Sequence, residues 1–141
     1  MNKIDVVLQV AWSYHGTPYI WGGDNPQGFD CSGLVVECLK SVGVLPRKGD
    51  WTADGLFVLF KNNEIVSEEQ VAPGDLVFWS NEQGKYIHVE IVIGQGLSIG
   101  ASGGGSWAVD PKVALARGAF IKVRPYTTRG GAYRFLRPPY S

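Results

Sequence analysis

Helical periodicity through the first 60 residues, β-branched strings bounded by turn residues after position 72, and the lack of strand–helix alternation predict an α+β fold. Its helices come first and its antiparallel strands after. The chain's 141 residues suit one domain spanning 1–141, and 45% hydrophobic with 18% charged residues is enough apolar content for a core. That composition excludes disorder and coiled coil. Thirteen basic residues balance thirteen acidic ones, so no net charge selects nucleic acid or an anionic membrane as partner.

Residues 2–15 read as a helix, because Ile4, Leu8, Ala11 and Trp12 recur at helical spacing between an Asn2 cap and Gly16. Residues 17–29 read as loop, with PYIWGG and NPQG as turn chemistry. A second helix is expected from Asp30 or Cys31 through Leu34, Val35, Cys38 and Leu39, ending at Gly43 before Pro46. Thr52 caps a third helix that runs to Phe60. The turn Ala72-Pro73-Gly74 opens a strand at 75–79, and 87–93 is a second strand rich in β-branched residues. Gly94-Gln95-Gly96 is a hairpin turn into a strand at 97–101, and Gly103-Gly104-Gly105 a flexible loop. Asp110-Pro111 starts a short helix ending at Gly118, and 119–124 and 132–136 are the last strands.

The opening residues MNKIDVVLQVAW carry Asp5 and Gln9 inside the apolar stretch and show no small-residue cleavage site, so they do not read as a signal peptide. The longest apolar run, 56–60, is too short to span a bilayer. The expectation is a protein made in the reducing cytoplasm. Cys31 and Cys38 lie seven residues apart on one predicted helix, too far to bridge, and so are expected as free thiols.

Cys31, in Gly28-Phe29-Asp30-Cys31-Ser32-Gly33-Leu34, stands at a helix start, where backbone N–H groups and the helix dipole favour a thiolate. A lowered thiol pKa is therefore expected there. A free cysteine is by default a small buried hydrophobe, and that reading holds for Cys38 among Val35, Leu39 and Val42. A cysteine nucleophile needs an imidazole partner. His15 sits at a helix end, where a structural role suffices. His88 begins a strand whose period-two alternation aims His88, Glu90 and Val92 at one face.

Four strings in order, Pro18-Tyr19-Ile20-Trp21-Gly22-Gly23, the Cys31 string, Pro73-Gly74-Asp75-Leu76-Val77-Phe78, and His88-Val89 with Ile93-Gly94, resemble the NlpC-type family of peptidoglycan endopeptidases. The resemblance covers about residues 5–102. It implies a papain-like α+β fold, with N-terminal helices packed on an antiparallel sheet. It also implies hydrolysis of an amide in the peptide stem of bacterial cell wall, commonly beside D-glutamate, without metal or cofactor. By the same resemblance Cys31 is the nucleophile, His88 the general base and Tyr19 the tyrosine whose hydroxyl lies near the nucleophile. Asp30 and Ser32 would hold the stem peptide's free amine, Asp30 doubling as a helix cap. From residue type alone, Trp21, with Trp51 and Trp107, is a candidate to line a groove for sugar or peptide, although tryptophans are core residues by default.

One position departs from the family. Its third catalytic residue, usually a histidine twelve residues after the base, is here Gly100. If the hairpin pairs Ile93 with Leu97, Glu90 faces Gly100 and His88 faces Ser102, which offers two replacement orienters, Glu90 being preferred for its charge. The substrate partner expected is peptidoglycan or a muropeptide, reached by import of fragments or by phage lysis or tail delivery. The competing reading is a structural or binding module, such as a phage tail component, that keeps the fold without turnover. The small residues 103–106 are expected to form a mobile edge of the cleft.

Overall fold

A computed structural model describes residues 1–25 and 28–141. Helix α1 (Lys3–Ser13) starts where Asn2 Oδ1 accepts the Asp5 N–H at 2.9 Å, and ends two residues sooner than its periodicity predicts. The segment read as loop contains a two-residue ladder, β1 (Asp24–Asn25) with β2 (Gly28–Phe29); Pro26 and Gln27 of the NPQG string lie outside the described residues. Helix α2 (Cys31–Ser41) is capped by Asp30, whose Oδ1 accepts the Gly33 N–H at 2.7 Å, and it buries most of its circumference. Thr52 caps α3 (Ala53–Phe60) as predicted.

The strands β3 (Glu64–Ile65), β4 (Leu76–Ser80), β5 (Tyr86–Gly94), β6 (Leu97–Ser102), β7 (Phe120–Pro125) and β8 (Tyr133–Leu136) form one antiparallel sheet in the order β3-β8-β4-β5-β6-β7. A short helix α4 (Pro111–Ala116), capped by Asp110, links β6 to β7. Strand β3 was not foreseen; two residues are too few to show alternation. One sheet face carries Leu76, Phe78, Val89, Ile91, Ile99 and Ile121 into the core shared with Leu34, Leu39, Leu56 and Phe57. The opposite face carries a smaller cluster of Val77, Trp79, Val92 and Phe135, flanked by Tyr126 and Tyr133.

Asp75 shows what the Pro73-Gly74-Asp75 string does. Its buried carboxylate accepts the Ala72 N–H at 2.8 Å and a bidentate pair from Arg137, Nε at 2.7 Å and Nη2 at 3.0 Å. The pair ties the residue after β8 to the turn before β4, and so holds the last strand between β3 and β4. Arg137→Ala should cost about 3 kcal/mol, since it strands a buried carboxylate. Asp75→Ala should cost less, because the guanidinium left behind is half-exposed and can be hydrated. Urea unfolding of the two variants checks the order, and a larger loss for Asp75→Ala would count against it.

Candidate active site

The sheet opens where the site lies. Strand β5 stays paired with β4 down to Ser80↔Tyr86, but its pairs with β6 run only from Gly94↔Leu97 to Ile91↔Ile99. Even-numbered residues of β5 bond toward β4, as Val92 N–H does to the Asp75 carbonyl at 2.8 Å. The backbone groups of Ile87 and Val89 therefore point to the opened side. The N-terminus of α2 enters there. Cys31 Sγ lies 3.9 Å from the Ile87 carbonyl oxygen, with the N–H groups of Val89 and Ser32 directed at it, so the thiol touches the backbone on both sides of His88.

The Ile93–Leu97 pairing expected from the sequence is corrected by a bulge, which sets Gly94, at φ +104°, opposite Leu97. Beyond the bulge the predicted register returns at Val92↔Ser98 and Ile91↔Ile99. Glu90 thus lies over Gly100, where a Cβ would come within 2.3 Å of Glu90 Cγ. In the space left by that missing side chain, Glu90 turns back along its strand. Its Oε2 stands 2.7 Å from His88 Nε2, and its Oε1 accepts the Ser98 hydroxyl at 2.7 Å. A carboxylate only accepts, so Nε2 carries the imidazole proton and Nδ1 is the ring's acceptor. Ser102 is not on the imidazole: the ladder that would set it opposite His88 has ended, and its Oγ accepts from Arg124 Nη2 at 2.9 Å.

Burial decides the protonation states. It pushes the Cys31 thiol up to about 11, outweighing the Val89 and Ser32 N–H groups, and overturns the lowered pKa that the helix start predicts. Burial likewise lowers the His88 pKa, against the pull of Glu90. Burial would raise Glu90, but bonding from His88 and Ser98 with nearby positive charge holds it below its ordinary value. The free site therefore rests as thiol, neutral imidazole and carboxylate. Alkylation of Cys31 by iodoacetamide is accordingly expected to keep rising with pH through neutrality toward about 11. A rate already level below neutral pH would instead show a preformed thiolate–imidazolium pair.

Of the other sequence candidates, Asp30 and Ser32 flank the thiol, Ser32 Oγ lying 3.4 Å from Asp30 Oδ1. Burial raises the Asp30 carboxyl against the Gly33 and Ser32 bonds. Tyr19 is buried and bridged to Phe29; burial first, then the charges of Cys31 and Asp30, raise its hydroxyl pKa. Gly104 rests on the Tyr19 ring, where a Cβ would meet Cδ1 at 2.1 Å, so the 103–106 segment borders the site. Trp21 is 56% exposed and Trp107 39%, whereas Trp51 packs against the core.

The sequence reading missed Ser98, which lies within reach of the predicted register and bonds Glu90, and Arg124, which carries no motif and bonds Ser102. A cavity of about 780 Å³ lies elsewhere, between Ile4, Glu64 and Tyr140. Among the described residues no cluster of His, Cys, Asp and Glu suits a metal ion, and no helix is long and apolar enough to cross a membrane.

Comparison with known proteins matches residues 16–121 to the NlpC/P60 family. The bifunctional muramidase/DL-endopeptidase CwlT of Bacillus subtilis is 42% identical over 100 residues, covering 68% of this chain and 28% of that protein. The crystal structure of an NlpC/P60 family protein from Bacillus cereus superposes with a TM-score of 0.72 at 26% identity, covering 98% of this chain and 40% of that one. The NlpC/p60 domain of the peptidoglycan hydrolase SagA gives 0.68 at 30% identity, covering 95% and 97%. The chain spans between about a sixth and under a third of the curated relatives it matches.

Proposed function

The chain belongs to the NlpC/P60 family, whose fold it shares, and from that premise we propose that it is a cysteine endopeptidase cleaving an amide in the peptide stem of peptidoglycan. The observation that carries this reading is the helix-borne Cys31 set in the sheet opening beside His88, with Glu90 at 2.7 Å from His88 Nε2. A lone structural cysteine would have no use for a buried, hydrogen-bonded imidazole–carboxylate pair next to it.

In this mechanism Cys31 Sγ attacks the amide carbonyl carbon as its proton passes to His88 Nδ1. The carboxylate of Glu90 holds the Nε2 proton and stabilises the imidazolium that forms, which offsets the burial that keeps the resting imidazole neutral. Tyr19 and the Cys31 N–H at the first turn of α2 supply donors for the carbonyl oxygen as it becomes anionic. Collapse breaks the C–N bond, the departing amine takes the Nδ1 proton, and a thioester remains on Cys31. Water, deprotonated by His88, attacks the thioester and releases the acid and the thiol. Asp30 offers a carboxylate to the free amine of the stem peptide.

The reading is tested by incubating the protein with purified peptidoglycan and identifying released fragments by mass spectrometry. New amine termini inside the stem peptide are expected; intact stems would overturn it. Glu90→Gln keeps an acceptor for Nε2 but removes the charge, and should lower kcat by about 100-fold. Gly100→Ala should do comparable harm, because its methyl occupies the place of Glu90 Cγ. A Ser102→Ala loss exceeding both would move the orienting role to Ser102.

A further inference from the structure

Arg129 lies beyond the family-matched segment 16–121, after the 3-10 turn Tyr126–Thr128 that links β7 to β8. Its guanidinium carbon stands 5.8 Å from the centroid of the Trp79 ring. Trp79 is 2% exposed and its ring lies 5.2 Å from that of His88, its cross-strand neighbour. The platform under Arg129 is thus packed and shared with the base. The charge of Arg129 acts on the Cys31 thiol, the Tyr19 hydroxyl and the His88 imidazole, which come from three different parts of the chain. On the Trp79 ring beside His88, Arg129 is thus within electrostatic reach of all three groups.

Arg124, Arg134 and Arg137 each bond to a side chain, Ser102, Glu64 and Asp75 respectively. Arg129 has no such hydrogen bond or ion pair among the described residues; it is half-buried on an aromatic ring. The site is also polarised. Asp30 and Cys31 lie on the opened side of β5, while Arg129 and Trp79 lie on its β4 side, so an anion and a cation bracket the Cys31–His88 pair.

Resting on the reading above, in which the substrate amine lies toward Asp30 and His88 protonates the departing amine, we propose that Arg129 binds a free carboxylate on the leaving-amine residue. It thereby selects stem peptides in which that carboxylate is not amidated. A guanidinium on a fixed platform presents two parallel donors to such a group and none to a carboxamide nitrogen.

The test uses two peptides, L-Ala-γ-D-Glu-L-Lys with a free C-terminal carboxylate and the same peptide as its carboxamide, with wild type, Arg129→Ala and Arg129→Lys. Wild type is expected to favour the acid about tenfold in kcat/KM, through KM, by loss of a charge-assisted hydrogen bond in the amide. The preference should fall to near one in Arg129→Ala and return in part with Arg129→Lys. An undiminished preference in Arg129→Ala, or none in wild type, overturns the proposal.

Calorimetric binding of both peptides to Cys31→Ala and to Cys31→Ala/Arg129→Ala separates this inference from the proposed activity. Tighter binding of the acid that depends on Arg129 supports it even if wild type cleaves neither peptide. Equal binding, or no binding, overturns it.

Discussion

Cys31→Ala is expected to abolish cleavage of peptidoglycan fragments, a loss on the order of 10⁴-fold or more, while the protein stays folded. No second nucleophile stands ready. Cys38 is wholly buried in the middle of α2, where burial pushes its thiol up further than that of Cys31. Ser32 is turned to Asp30. The fold should survive because Cys31 sits at the edge of the core and alanine removes a single sulfur, whereas the Asp30 cap that starts α2 is untouched. Turnover by mass spectrometry and far-UV circular dichroism on the same sample give the answer. Residual cleavage near the wild-type rate would remove the thiol from the chemistry.

His88→Ala is expected to cost on the order of 10³-fold in kcat, and His15→Ala almost nothing. The two histidines differ in their surroundings. His15, just past α1, is stacked on the exposed Trp12, whereas His88 is buried on Trp79 with Glu90 on its Nε2. Since the thiol rests protonated, a base has to take its proton during attack on the amide, and the neutral imidazole of His88 is the acceptor on hand. Equal losses in the two histidine variants, with both folded, would reject the assignment.

Local rules made much of this molecule readable. Asn2, Asp30, Thr52 and Asp110 announce helix starts because a cap satisfies its own helix's first N–H groups, a contact three residues long. The same locality put Cys31 on the first turn of α2, and strand alternation put His88 and Glu90 on one face. Even the Glu90–Gly100 juxtaposition followed from counting across a hairpin, because the bulge at Gly94 does not propagate beyond Val92.

Four features were decided only by contacts between distant segments. Strand β8 enters between β3 and β4 through the Asp75–Arg137 pair, 62 residues apart in sequence. The sheet opens beside His88 because the start of α2 occupies the place of a β6 partner. The Cys31 thiol rises instead of falling, since desolvation depends on everything packed around it and exceeds what one helix terminus supplies. Arg129 comes to lie on the Trp79 ring, itself packed beside His88, which no spacing in the chain encodes. Caps and alternation are short-range and leave a mark in sequence; burial and strand insertion are sums over the whole fold, and leave none.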